Sequence, residues 1–235
     1  MTHSILRKFM LIAVLLTSSY TFAHDFEVDG IYYNIISASD LTIEVTYQGS
    51  SYDTIDNEYT GDVKVPSTVT YNGSTYSVTT IGETAFCYCS SLTSVTIPSS
   101  VTSINDYAFC YCNGLTSVTI PNSVASIGDY AFYDCNSLTS LDIPHSITTI
   151  GEAAFFKCTN LTKVNITDIE KWCQIKFYSA YANPLYYANK LYLNDELLTN
   201  FVVPNSVTSI KLHWDIPRPI TLKVMDLQNP QTRVW

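Results

Sequence analysis

From Ile81 onward the same kinds of side chain return every 23 residues, and a chain with such a period folds as stacked copies of one small unit. Leu92, Leu115, Leu138 and Leu161 share one column, Val95, Val118, Leu141 and Val164 a second, and Ile97, Ile120, Ile143 and Ile166 a third. Upstream in the same units, Ile81, Ile104, Ile127 and Ile150 align, as do the Ala-Phe pairs at 85/86, 108/109, 131/132 and 154/155 and the cysteines Cys89, Cys112, Cys135 and Cys158. A unit this short cannot bury its apolar face alone, so its stability has to come from its neighbours.

The pattern inside a unit predicts its elements. Val95 and Ile97 alternate with Ser94 and Thr96, as in a strand with one buried face. Pro98, Pro121 and Pro144 then end that strand, because proline cannot donate to a continuing ladder. A second short apolar pair follows, Val124 and Ile127, and then Gly128-Asp129-Tyr130-Ala131-Phe132, read as a single helical turn carrying an inward Phe. Each unit is therefore expected to run strand, strand, short helix.

Leu138-x-x-Leu141-x-Ile143 matches the strand motif of leucine-rich repeats. The run from Pro121-Asn122-Ser123-Val124 through Cys135-Asn136-Ser137-Leu138-Thr139-Ser140 closely resembles the BspA-like leucine-rich repeat family, whose units read roughly I-P-x-S-V-T-x-I-G-x-x-A-F-x-x-C-x-x-L-T-x-V. The resemblance covers about residues 66 to 210. It implies a leucine-rich-repeat solenoid, mainly β with short helical turns, wound as a right-handed superhelix of 23-residue units. It also implies a secreted or surface-displayed adhesion role toward host or matrix proteins such as fibronectin or fibrinogen.

The period divides the chain. Residues 75–166 hold four regular units, and residues 167–210 hold one enlarged unit and the start of another, with the strand motif returning as Leu198-x-x-Phe201-x-Val203-Pro204 and with Asn194-Asp195 as a hairpin turn. Residues 24–74 show alternating strands with turn signals at Asp29-Gly30 and Asn72-Gly73, and are expected to form a β-rich N-terminal cap. After Ile210 the pattern is lost. Residues 211–235 form an atypical tail, compatible with a cap, a truncation or a frameshifted end.

Residues 1–23 read as a signal peptide, with Arg7 and Lys8 before an apolar run from Phe9 to Leu16 and with Thr21-Phe22-Ala23 as the cleavage site. Removing them takes two positive charges and no negative one, so the formal net charge falls from −9 to −11. Such acidity argues against nucleic acid and anionic membrane as partners. No other stretch reads as a membrane span.

The candidate sites each have a plainer reading. Cys87-x-Cys89 and Cys110-x-Cys112 supply four thiols, enough for a metal; stacked rungs also bring cysteines near the spacing of a disulfide, and an inward column suits buried thiols. Glu83, Asp106, Asp129 and Glu152 form a row that could hold a cation, or could face helix N-termini. Tyr88, Tyr107, Tyr111, Tyr130 and Tyr133 could anchor a protein or sugar, or pack over the edge of the core. The strands leave Ser94, Ser117, Ser140 and Lys163 outward in one ladder, and Thr96, Thr119, Asp142 and Asn165 in the other. This sheet face is the expected partner-binding surface.

Catalysis finds little support. No cofactor or metal motif is recognised, and His24, His145 and His213 are scattered along the expected mature chain. The expected function is protein binding without chemistry; a spacer or display domain is the alternative, and a hydrolase a remote one that would need a clustered acid, base or nucleophile near residues 167 to 203.

Overall fold

The computed structural model describes residues 24–49, 59–188, 190–202, 221–224 and 233–234. The expected signal segment, Pro204, Ile210, His213 and most of the tail lie outside the described residues.

Two parallel β faces enclose the core. On the front face, Gly61–Lys64, Leu92–Thr96 and Ser117–Thr119 pair as one sheet, and Ser140–Ile143, Lys163–Ile166, Leu191–Leu193 and Glu196–Leu197 as a second. The back face continues through Ser74–Ile81, Ser103–Ile104, Ser126–Ile127, Thr149–Ile150 and Lys176–Phe177. Register follows the repeat: Val95 lies opposite Val118, Leu141 opposite Val164, and Ile81, Ile104, Ile127 and Ile150 succeed one another. Because strand side chains alternate between faces, this register puts the Leu, Val and Ile columns inside at every rung. All of them are buried.

The third side of each unit is tighter than a helical turn. The amides of Ala85, Cys87 and Cys89 donate to the carbonyls of Gly82, Thr84 and Phe86, three residues back. Between them, the amides of Thr84, Phe86 and Tyr88 donate to Asp106, Ala108 and Cys110 of the next unit. An α-helix would direct every amide along its own axis; successive turns free every second amide to join the neighbouring rung. The geometry requires left-handed backbone at two residues per unit, as at Thr84 (φ 55°), Tyr88 (62°), Tyr107 (56°) and Tyr111 (59°). Short helical turns do occur later, as an α-helix at Ile169–Gln174 and 3-10 turns at Ala180–Ala182 and Pro184–Tyr186.

These turns carry the centre of the core. Phe86, Phe109, Phe132 and Phe155 stack face to face with centroids 5.0, 5.0 and 5.3 Å apart, all fully buried. The thiols of Cys112, Cys135 and Cys158 donate to the carbonyls of Phe86, Phe109 and Phe132 at 2.9, 3.0 and 3.1 Å, each reaching the previous unit.

At the N-terminal end, Phe26–Val28, Ile31–Ser37 and Thr42–Thr46 form an antiparallel meander whose last strand pairs in parallel with Ser74–Ile81. The chain turns at Asp29-Gly30 and Asn72-Gly73 with positive φ throughout, the geometry of a two-residue hairpin loop. Tyr59 packs tilted against Phe86, with ring centroids 4.6 Å apart, and its hydroxyl bridges the carbonyl of Thr46 and the amide of Tyr32. The Phe column is thereby covered.

In the enlarged unit, Thr149 pairs with Lys176 and Val164 with Leu191, an offset of 27 residues on both faces. The longer path holds the helix Ile169–Gln174, where the Asp168 carboxylate accepts from the amides of Glu170 and Lys171, and it buries Trp172 against Phe177. Asn194 and Asp195, both at positive φ, then reverse the chain into Glu196–Leu197. Asn200–Val202, where the strand motif was expected to return, pairs with Thr221–Val224 in a separate sheet.

Truncating Phe109, which has a ring on either side, leaves a cavity in the middle of the stack. Phe109→Ala is expected to cost about 3–5 kcal/mol of unfolding free energy in urea titration.

Candidate functional site

The front face runs on past the stretch first assigned to it. Asp62 lies opposite Ser94, Lys64 opposite Thr96, and Tyr192 opposite Asn165, so each outward ladder gains residues that the repeat columns alone do not reveal. The signal was present: Val63-x-Val65-Pro66 repeats Val95-x-Ile97-Pro98.

Both ends of this face are engaged internally. The Asp62 carboxylate accepts from the hydroxyls of Ser94 (2.6 Å) and Thr93 (2.9 Å), and these bonds hold its pKa below the ordinary value. Lys163 pairs with Asp195 at 2.8 Å and lies 4.7 Å over the Tyr192 ring; the Asp195 contact raises its pKa. Asn165 is buried, its side-chain oxygen accepting from the Asp195 amide at 3.0 Å. Asn165 therefore departs from the outward contact role expected of it, because the Asn194-Asp195 hairpin folds over it. Thr96, Ser117, Thr119, Ser140 and Asp142 remain exposed across three rungs.

The acidic row has a backbone role. Asp106 accepts from the amide of Asp129 at 2.7 Å, and Asp129 from the amide of Glu152 at 2.6 Å, so each carboxylate stitches its unit to the next. Room for this comes from Gly128 and Gly151, where an added Cβ would strike the Asp106 and Asp129 carboxylates respectively. At the head of the row stands Glu44, beside Gly82. Burial raises the Glu44 pKa, helped by the Glu83 charge and opposed by a hydrogen bond from Asn34. Among the described residues no group of three or more His, Cys, Asp or Glu side chains is placed to hold a metal.

All seven cysteines are buried thiols. Burial raises the pKa of Cys112, Cys135 and Cys158 and pushes Cys173 up to about 12. A thiol kept protonated in this way is a poor nucleophile and a poor metal ligand. His145 is exposed and lies in the loop after Pro144.

The tyrosines pack against one another and still reach solvent. Tyr88 stacks on Tyr111 at 4.7 Å and Tyr107 on Tyr130 at 5.1 Å, yet Tyr88 and Tyr107 stay 47% and 38% exposed.

Stacked parallel rungs with an inward Phe and Cys in each turn find their counterpart in known proteins. Residues 79–190 match the BspA-type leucine-rich repeat region in six copies. A solved leucine-rich repeat protein from Bacteroides capillosus is 30% identical, with 61% of this chain and 98% of that chain covered and a TM-score of 0.51. The chain belongs to the BspA-type leucine-rich repeat family. The BspA-type fold is also shared with the pneumococcal vaccine antigen PcpA, at 15% identity and a TM-score of 0.51, with 79% of this chain and 59% of that chain covered. The leucine-rich repeat protein of T. pallidum is 23% identical with a TM-score of 0.44, over 60% of this chain and 70% of that one. Among curated proteins none matches. In this BspA-type chain no helix among the described residues is long and apolar enough to cross a membrane.

Glu44 gives the repeat face a pH signature. A carboxyl whose pKa is raised on folding stabilises the fold below its unfolded value, and that contribution is lost as pH rises through the folded value. Glu44→Gln is therefore expected to raise the melting temperature at pH 7 and to leave it unchanged below about pH 4, read by calorimetry across that range.

Proposed function

We propose that this chain is an exported binding module, cleaved after Ala23 and displayed or secreted, which engages a host or extracellular-matrix protein through its front face. In this reading the chain is a right-handed superhelix of 23-residue units. Residues 24–74 form its N-terminal cap, 75–166 the regular array, 167–210 the enlarged unit and the start of another, and 211–235 the atypical tail.

The observation that carries the proposal is the contrast along the front face. Its two ends are closed by the chain's own contacts at Asp62 and at Asp195, whereas Thr96, Ser117, Thr119, Ser140 and Asp142 present a flat exposed patch of hydroxyls and one carboxylate. A flat patch of short polar side chains offers hydrogen bonds at little cost in side-chain entropy. It suits a polypeptide partner better than a small molecule, which needs a concave site.

The test combines Ser117→Lys, Thr119→Glu and Ser140→Lys in the full chain. These side chains are exposed, so the fold should survive. Attachment to immobilised fibronectin, fibrinogen or whole extracellular matrix is expected to fall at least about tenfold, since an unmatched charge in an interface costs more than about 1.4 kcal/mol. Unchanged attachment would show that this face is not the binding site. A chain that retains no matrix protein in any form would favour a spacer or display domain.

A further inference from the structure

The turn face holds a second surface, independent of the front-face reading. Tyr107 is 38% exposed and stacks one side of its ring on Tyr130, within 3° of parallel. One unit earlier the same position holds Thr84, which is buried and has no ring to cover the other side. On the Thr84 side Tyr107 therefore has no stacked ring, and part of its side chain is open to solvent. Asp106 precedes Tyr107 in the chain and accepts from the Asp129 amide at 2.7 Å, while the Tyr107 amide donates to the Asp129 carbonyl at 2.8 Å, so both acids sit beside the stacked rings; Glu83 is exposed one unit before.

The chain shows what such rings attract. Lys157 lies 5.0 Å over the ring of Tyr133 with the Asp134 charge nearby, Lys163 lies 4.7 Å over Tyr192 while paired with Asp195, and Lys176 lies 4.0 Å over Tyr178. The negative face of an aromatic ring attracts an ammonium or guanidinium group, and a neighbouring carboxylate adds to the attraction. Among the described residues no lysine or arginine lies over the Tyr107 ring. Between Lys64 and Lys157 the sequence contains no Lys or Arg, but it contains Glu83, Asp106, Asp129, Asp134, Asp142 and Glu152.

We propose that the exposed part of the Tyr107 ring, beside Asp106 and Asp129, docks a lysine or arginine side chain from a basic segment of a protein partner. Arginine fits better, because its planar guanidinium stacks on a ring and is more weakly hydrated than an ammonium group. The stacked Tyr130 holds the ring in place before the cation arrives.

The probe is an unstructured peptide of alternating Arg and Gly, titrated into the full chain at about 0.15 M salt so that diffuse attraction is screened. Tyr107→Asn keeps a residue that tolerates the positive φ of 56° while removing the ring. It is expected to weaken binding about three- to tenfold. Tyr107→Phe, which keeps the ring, should bind within about twofold of the unaltered chain, and Glu27→Gln, exposed in the N-terminal meander, should weaken binding less than Tyr107→Asn does. Tyr107→Lys removes the ring and adds a like charge, and should block the peptide at least as well as Tyr107→Asn does; an unchanged melting temperature in both variants shows that the loss is not a folding defect. Unchanged binding by both Tyr107→Asn and Tyr107→Lys would overturn the proposal. So would an equal loss in Glu27→Gln, which would mean that the peptide follows net charge alone, or displacement of the peptide by a neutral oligosaccharide, which would make the ring a sugar platform.

Discussion

Hydrogen bonds between successive rungs are the interaction on which the remaining features depend. On the front face, on the back face and through every second amide of the turns, backbone groups of one unit find partners in the next. A buried peptide group left unpaired is costly, so a unit with neighbours on both sides is satisfied and an isolated one is not. The same step from one unit to the next carries the Phe stack, the Cys thiols that reach back to Phe carbonyls, and the Asp carboxylates that reach forward to the next amide. Side chain and backbone thus repeat a single link between neighbours.

That economy leaves the outward positions to vary without loss of fold. The inward columns keep Leu, Val, Ile, Phe and Cys, while one outward ladder passes through Asp62, Ser94, Ser117, Ser140 and Lys163. Function in such a scaffold lies in what the open positions present. A scaffold of this kind suits binding. Its ends are closed by local devices: Tyr59 over the Phe column at one end and the Asn194-Asp195 hairpin over Asn165 at the other.

Columns were legible where one residue type recurs for one reason. A leucine at every unit marks an inward strand position, and the structure places Leu92, Leu115, Leu138 and Leu161 in the core. The turns were harder to read. Gly128-Asp-Tyr-Ala-Phe is too short for helical periodicity to be separated from consecutive tight turns, and the left-handed positions are filled by Thr, Tyr, Asp, Ala and Lys without the glycine that would have signalled them. The acidic row was visible as a row, but its partner, the amide one unit on, cannot be seen in a linear pattern. Asn165 looked outward by alternation and is buried by a hairpin some 30 residues later in the chain. The rung at Gly61–Lys64 escaped because its two valines and one proline stand alone, without the leucine and cysteine that mark the later units.

Deleting whole units tests directly whether neighbours hold the fold together in phase. Removing residues 104–126 excises 23 residues and joins Ser103 to Ile127, so that every column, ladder and stack resumes unbroken. Removing residues 104–122, four fewer, leaves comparable length but puts the remaining columns out of register. Thermal unfolding followed by circular dichroism should show the in-phase deletion melting cooperatively, only modestly below the unaltered chain, and the out-of-phase deletion losing its cooperative transition. Equal damage from both deletions, or none from either, would contradict the account.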